Sequence, residues 1–259
     1  MTTGSAQRRV ALVTGSAGGL MRGVCVSLAS AGYAVAVNFK PPRTHADDTV
    51  DLVRRAGGEA ISLSADVAVP EEAAALVADS HEQLGRLDVL VCGAGPMIVK
   101  DAFDMTLAEY RAMIEGNLGS AFYTIKAALP LMRAQRFGRI VTFGMTGSEA
   151  TMGMRRMAAY AAAKAGVVAI TRSLALEEGP HGITCNTIDI GDIRDKDVDR
   201  AGAVARRDYR NPTMRPGSWQ DIGDAVVYLA GEQASFINGA VLNINGGWQG
   251  FLAEFARWP

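Results

Sequence analysis

The chain has 259 residues, of which 49% are hydrophobic and 20% are charged, and its formal net charge is −1. This balance is typical of a globular protein with one large domain or two small ones. The lack of a basic segment argues against nucleic acid as a partner, and no apolar run reaches membrane length. Three separated cysteines in apolar runs indicate reduced core thiols and a cytoplasmic protein, and no cysteine or histidine has metal-ligand spacing.

Short apolar runs alternate with helical patterns along the whole chain. The runs predict strands over 10–14, 34–39, 60–64, 87–92, 138–143, 183–188 and 240–244. The intervening patterns predict helices over 20–30, 46–56, 70–84, 107–135, 157–178, 195–209 and 218–230. After a disordered tail at 1–8, this alternation predicts one α/β domain over 9–259, with a doubly wound, seven-stranded parallel sheet and helices on both faces. The ligand site of such a sheet lies at the carboxyl ends of its strands.

A glycine-rich turn joins the first predicted strand to the first predicted helix. Its candidate ligand-binding residues are Gly15, Ser16, Ala17, Gly19 and Leu20. Such a turn leaves backbone N–H groups free and lets a phosphate approach the start of the helix. Glycine also serves any tight turn between a strand and a helix, so the turn alone is weak evidence of a binding site.

The end of the second predicted strand is the place where this kind of sheet selects its dinucleotide. It carries Asn38, Phe39, Lys40 and Arg43, and no carboxylate before Asp47. A carboxylate at this end binds the adenosine ribose, whereas cations attract the additional phosphate of NADP. We therefore expect NADP(H) as cofactor, although Lys40 and Arg43 are also consistent with solvated loop charges.

The other strand ends add small or polar residues at the same edge of the sheet. The residues expected to contact the cofactor there are Asp66, Val67, Gly93, Ala94, Gly95, Gly191 and Ile193. Small residues at a strand end let a flat ring lie against the backbone. The irregular, charged segment 192–216 is long enough to cover a substrate pocket.

Tyr160 and Lys164 lie four residues apart, so both face the same side of the predicted helix over 157–178. A lysine ammonium this close is expected to lower the pKa of the phenol, and such a tyrosine can exchange a proton with an alcohol or alkoxide. Asn117 interrupts another helical pattern, and a broken local rule marks a place where function is expected. Tyr160, Lys164 and Asn117 are the candidate catalytic residues.

Spaced motifs in this order resemble those of the short-chain dehydrogenase/reductase family over nearly the whole chain. They are Thr14 to Gly19, Asp66-Val67, Ala94-Gly95, Asn117-Leu118, Tyr160 with Lys164, and Asn238-Gly239 before Gly246-Gly247. The segment 138–182 is most similar to 3-oxoacyl-carrier-protein reductases and pteridine-reductase-like members. The resemblance implies a Rossmann fold that binds NAD(P), a homotetramer or homodimer, and three roles. Tyr160 would transfer a proton, Lys164 would bind the nicotinamide ribose, and Asn117 would hold a water.

The chain departs from the family pattern in its glycine motif and at two strand ends. Met21 takes the position of the third glycine, where a larger side chain is expected either to crowd the turn or to shift the cofactor pyrophosphate slightly. The family's Asn-Asn pair is Cys92-Gly93, and its Pro-Gly pair is Ile190-Gly191.

Met145 takes the position of the family's catalytic serine, and a thioether cannot donate a hydrogen bond to a substrate oxygen. Either Thr146 or Ser148 supplies the missing hydroxyl, or the substrate contains an iminium carbon, which accepts hydride without an oxyanion donor. The expected substrate pocket consists of Met145, Thr146, Met154 and Asp192.

Two functions remain open. The first is an NADPH-dependent oxidoreductase that transfers hydride to a C=O or C=N bond of a small organic substrate, such as a secondary metabolite, with Tyr160 as proton donor. The second is an NADP-binding protein with a non-redox activity, as a cyclase, dehydratase or isomerase, or with a regulatory role. The Tyr–Lys pair favours the first function, and the altered motifs favour the second.

Overall fold

The structure, a computed structural model, describes residues 8–42, 45–191, 193, 195–208 and 211–248. Two of the predicted site residues, Arg43 and Asp192, lie outside the described residues. The same is true of 1–7, which make up nearly all of the predicted tail.

Seven parallel strands form one sheet in the order β3–β2–β1–β4–β5–β6–β7. The strands are β1 (Val10–Val13), β2 (Ala34–Phe39), β3 (Ala60–Ser64), β4 (Val89–Cys92), β5 (Gly138–Met145), β6 (Ile183–Ile190) and β7 (Val241–Ile244). β1 pairs with both β2 and β4, so the strand order reverses there. The loops after β1 and β4 therefore diverge and leave a crevice at their carboxyl ends. The predicted fold class, a single-domain Rossmann fold with a doubly wound sheet, is confirmed.

Alternating side chains along the strands form two hydrophobic layers, one on each face of the sheet. The helices are α1 (Gly19–Ser30), α2 (Ala46–Arg55), α3 (Pro70–Leu84), α4 (Leu107–Ile114), α5 (Ser120–Gln135), α6 (Ala158–Glu178), α7 (Arg200–Val204) and α8 (Trp219–Ala230). Val13 packs in the layer formed with α1, α2 and α8, whereas Leu12 packs in the layer formed with α3, α5 and α6. The three cysteines are free and buried, as predicted. None of the described helices is long and apolar enough to cross a membrane.

The predicted helix over 107–135 is divided in two. A π-helical turn, Glu115–Gly119, separates α4 from α5 and contains Asn117. A π-helical turn interrupts the regular i to i+4 hydrogen bonds of an α-helix, and such turns are frequent at functional sites. The irregularity expected at Asn117 is therefore present in the backbone.

The prediction of one helix over 195–209 is wrong, because within the described residues only α7 is helical there. Asp199 caps the start of α7 by accepting a hydrogen bond from the backbone N–H of Gly202 at 2.7 Å. Arg200, a charged residue in the predicted helix, forms an ion pair with α8, since its guanidinium lies 2.6 Å from the Asp224 carboxylate. A side chain that the sequence pattern places on the solvent-facing surface of a helix is therefore used in a contact with another element.

Candidate functional site

A cavity of about 1140 Å³ lies at the carboxyl ends of the strands, over the crevice between β1 and β4. One end is lined by the glycine-rich turn after β1 and by the ends of β2 and β3. The other end is lined by Tyr160 and Lys164 of α6 and by the ends of β5 and β6. The two predicted motifs, separated along the chain, therefore open into one continuous space.

The turn after β1 is held in shape by backbone conformation and by hydrogen bonds. Gly15 and Gly19 have φ of +66° and +61°, a region that favours glycine. The Gly15 N–H donates to Asn38 Oδ1 at 3.0 Å, and the Ser16 hydroxyl donates to the Val13 carbonyl at 2.7 Å. Ser16 is therefore buried behind the turn and does not line the cavity.

The two departures from the family pattern at Met21 and Gly93 form one contact. A Cβ added to Gly93 would overlap Sδ and Cγ of Met21 and would lie 2.9 Å from the Thr14 carbonyl oxygen. The thioether of Met21 is buried and fills the space that a side chain at position 93 would need. The crowding expected at Met21 is therefore relieved by the glycine that follows β4.

The end of β2 presents the exposed side chain of Lys40 to the cavity, whereas Asn38, which also lines the cavity, is buried. The Asn38 amide donates to the carbonyls of Leu63 and Ala65 at 3.4 and 3.2 Å, so its polar atoms serve the backbone. Lys40 forms an ion pair with Asp66 at the end of β3, and both residues line the cavity. No described carboxylate at the end of β2 lines the cavity.

Tyr160 and Lys164 lie one helical turn apart, and the Lys164 Nζ is 5.5 Å from the centre of the Tyr160 ring. Lys164 is buried, and its ammonium donates to the Phe143 carbonyl at 2.9 Å. Burial lowers the pKa of Lys164 to about 8, and burial raises the pKa of Tyr160 above its ordinary value. The expected lowering of the Tyr160 pKa is not found, because burial of the phenol is the cause of its shift and acts upward.

Asn117 lies behind the cavity, in the π-helical turn. Its amide donates to the carbonyls of Pro96 and Met113, both at 2.9 Å. Its buried Oδ1 has no hydrogen-bond partner among the described residues, and a Cβ on Gly95 would overlap it. A buried acceptor of this kind needs a hydrogen-bond partner, and an ordered water would supply one in the role that the family resemblance implies.

Met145 is buried at the end of β5 and lines the cavity together with Thr146 and Met154. The two candidate hydroxyls differ in position. Thr146 faces the cavity and donates to the Ile190 carbonyl at 3.3 Å. Ser148 is buried and donates to Asp189 Oδ1 at 2.7 Å, so its hydroxyl is engaged away from the cavity.

Asp189 is a buried carboxylate that the sequence analysis did not select. Burial raises its pKa to about 6, although the Ser148 hydrogen bond acts in the opposite direction. Gly144 provides the room, because a Cβ at that position would overlap the carboxylate. A single acidic residue inside the buried strand Ile183–Ile190 breaks the local pattern, and that signal was available in the sequence.

Most of the predicted cofactor residues line the cavity. They are Gly15, Ala17, Gly19, Leu20, Asn38, Phe39, Lys40, Asp66, Val67, Gly93, Ala94, Gly95, Tyr160, Lys164, Gly191 and Ile193. Of the predicted residues that the structure describes, Ser16, Asn117 and Ser148 do not line it. Lys196 and Trp248 line the cavity without having been predicted, because neither belongs to a recognisable motif.

The cavity has the features that an extended dinucleotide needs. α1 begins at Gly19 without a side-chain cap, so its first N–H groups are available to a phosphate. Glycines at the ends of β1 and β4 let two backbones approach, since a Cβ on Gly15 would lie 2.8 Å from Ala94 Cα. The residues present therefore fit a nicotinamide dinucleotide, whose phosphates the turn would hold and whose ribose Lys164 would bind.

Comparisons with known proteins agree with this description. The family described as enoyl-(acyl carrier protein) reductase matches residues 15–249. The 3-oxoacyl-[acyl-carrier-protein] reductase FabG of Staphylococcus aureus strain N315 is 34% identical over 241 residues, covering 92% of this chain and 96% of the relative. The 3-oxoacyl-[acyl-carrier-protein] reductase of Synechocystis is 34% identical over 250 residues, covering 95% and 98%.

Solved structures show the same likeness in three dimensions. A protein assigned as a short-chain alcohol dehydrogenase from Sinorhizobium meliloti 1021 superposes with a TM-score of 0.85 at 32% identity, covering 93% of this chain and 96% of that one. With the shared fold and a matched profile over most of its length, the chain belongs to the short-chain dehydrogenase/reductase family of oxidoreductases.

Proposed function

We propose that the protein is an NADPH-dependent reductase that transfers hydride to a C=O or C=N bond of a small organic substrate. The observation that carries the proposal is the continuous cavity that joins the glycine-rich turn to Tyr160 and Lys164. A bound reduced nicotinamide supplies the hydride, and the chain's own residues bind the cofactor, orient the substrate and deliver the proton.

We assign the role of proton donor to Tyr160, which lines the cavity one helical turn from Lys164. The buried phenol keeps its proton at neutral pH and can pass it to a developing alkoxide, or to an imine nitrogen before the hydride is transferred. Lys164 is fixed by its hydrogen bond to the Phe143 carbonyl, one turn along the helix from Tyr160.

The preference for NADPH rests on Lys40. Its side chain is 65% exposed and lies at the cavity beside Asp66, where a phosphate on the adenosine ribose would meet an ammonium. Asn38 is the polar side chain in the last two residues of β2. Its amide donates to backbone carbonyls, so it does not replace the carboxylate that would bind the ribose. The described lining of the cavity therefore favours the additional phosphate.

The substrate end of the cavity is soft and largely apolar. Its described lining includes Met97, Val99, Met145, Met154, Met157 and Trp248. Thr146 directly follows Met145, which takes the position of the missing serine, and its hydroxyl-bearing side chain lines the cavity. This lining suits a flat substrate. A ketone would accept a hydrogen bond from Thr146, whereas an iminium needs no such donor.

A calorimetric titration of the protein with NADPH and then with NADH tests the cofactor assignment. We expect tight binding of NADPH, weak binding of NADH, and loss of the difference in Lys40→Ala. Turnover is then measured as NADPH oxidation with a panel of ketones and cyclic imines. Binding of neither cofactor would contradict the proposal and favour the non-redox alternative, whereas equal binding of both would contradict only the role of Lys40.

A further inference from the structure

Three lysines line the described part of the cavity, and two of them have a partner. Lys40 is paired with Asp66, and Lys164 donates to the Phe143 carbonyl. Lys196 forms no hydrogen bond or ion pair with any residue that the structure describes. An ammonium that faces a cavity without an acceptor is available to an anion that enters it.

Lys196 lies at the start of α1. A Cβ added to Gly19 would be 3.4 Å from Lys196 Cδ, so the lysine stem passes directly over the first residue of the helix. Because α1 has no side-chain cap, its N-terminal N–H groups and the Lys196 ammonium face the same space. Two independent features, a helix start and the exposed lysine of another segment, therefore converge there.

Contacts on both sides hold the segment that carries Lys196. The Asp197 carboxylate lies 3.9 Å from the Arg22 guanidinium on α1. The backbone N–H of Arg200 donates to the Gln220 side chain at 2.6 Å, and the Arg200 guanidinium contacts Asp224 at 2.6 Å. The segment is thus attached to α1 and to α8, which places Lys196 over the turn before any ligand binds.

We propose that Lys196 binds the diphosphate of the dinucleotide and clamps it against the start of α1. This inference rests on the proposed function, because it takes the occupant of the cavity to be a nicotinamide dinucleotide. The diphosphate carries the negative charge nearest to the glycine-rich turn, and a lysine provides a point charge with three donors. Lys196 is then a cofactor-binding residue supplied by the segment that also covers the substrate end.

The test uses Lys196→Gln in the full-length protein and compares its affinity for NADPH and for NADH. Both cofactors contain the diphosphate, so we expect both dissociation constants to rise by about fivefold to tenfold, with their ratio unchanged. Lys196→Arg is expected to retain most of the affinity. Lys126→Gln is the matched control, because Lys126 is an exposed lysine on α5 that does not line the cavity.

The salt dependence of cofactor binding gives a second readout. Without the Lys196 ammonium, the affinity should fall less steeply with ionic strength than in the parent. A weakening of NADPH alone would show that Lys196 contacts the ribose phosphate and would overturn the diphosphate assignment. Unchanged affinities for both cofactors in Lys196→Gln, with the parent binding normally, would overturn the inference while leaving the proposed function intact.

Discussion

The two ends of the cavity are built in different ways. The end formed by β1, β2 and β4 consists mainly of backbone and small residues, with Gly15, Gly93 and Gly95 allowing close approach. At the other end, β5, β6 and α6 hold buried ionisable groups, namely Lys164, which lines the cavity, and Asp189, which lies on β6 outside the cavity lining. The proposed cofactor end is therefore shaped by close backbone packing and carries its charges on the exposed side chains of Lys40 and Lys196, whereas the proposed catalytic end holds ionisable groups whose pKa values are shifted by burial.

This difference predicts how each end responds to substitution. At the cofactor end, an added methyl group meets backbone or a packed side chain, so stability and cofactor affinity change together. At the catalytic end, a substitution that keeps the volume and changes only a proton or a charge should alter rate or pH dependence and leave binding unchanged. The following variants test that division.

The largest effect is expected from Tyr160→Phe, which removes only the phenolic hydroxyl. Without the proton donor, turnover of the best substrate should fall by about a hundredfold to ten-thousandfold. NADPH affinity should stay within about twofold, since the ring and Lys164 remain. Tyr228→Phe on α8, which is 44% exposed and does not line the cavity, is the matched control. Full turnover in Tyr160→Phe would show that the proton comes from elsewhere.

Asp189→Asn tests the buried charge through stability. The folded-state pKa of about 6 lies above the value of about 3.9 expected in the unfolded chain, so the folded state binds the proton more tightly. The ionised carboxylate therefore destabilises the fold increasingly as pH rises from about 4 to 6, and the full effect persists above pH 6. Relative to the parent, Asp189→Asn should gain about 2–3 kcal/mol of unfolding free energy across this range.

The comparison is made by urea unfolding of parent and variant at several pH values, so that the other carboxylates cancel. Ser148→Ala provides the matched control, because it removes the hydrogen bond to Asp189 and keeps the carboxyl group. In Ser148→Ala the free energy of unfolding should still depend on pH, and the midpoint pH of that dependence should be higher than in the parent. A difference between Asp189→Asn and the parent that is constant from pH 4 to 7 would show that Asp189 does not titrate in this range.

The fold and the cofactor end were predictable because their signals are local. Each strand is a short apolar run, and each turn after β1 and β4 carries its glycines within a few residues of the strand. The contacts that sequence analysis missed join distant segments: Met21 with Gly93, Ser148 with Asp189, and Lys196 with Gly19. Spacing carries no information about such pairs, since tertiary packing alone brings them together.

The Met21–Gly93 contact is tested by a double-mutant cycle. Gly93→Ala should destabilise the protein by about 1–2 kcal/mol, because the added methyl overlaps Met21 and approaches the Thr14 carbonyl. Met21→Ala makes room for that methyl, so the double variant should be more stable than the sum of the single effects predicts. Additive effects, measured by thermal or urea unfolding, would show that the two substitutions act independently.

Met145→Ser is the finest test, because it places a hydroxyl at the position where the family carries its catalytic serine. A donor beside Tyr160 should favour ketones over imines, and the expected change in relative turnover is about threefold to tenfold. Since Met145 is buried, the smaller side chain also leaves a cavity. Met145→Ala leaves a similar cavity without a donor, so the difference between the two variants isolates the hydroxyl. If both variants change the ketone-to-imine ratio equally, Met145 acts by packing against the substrate, and Thr146 becomes the hydroxyl to replace next.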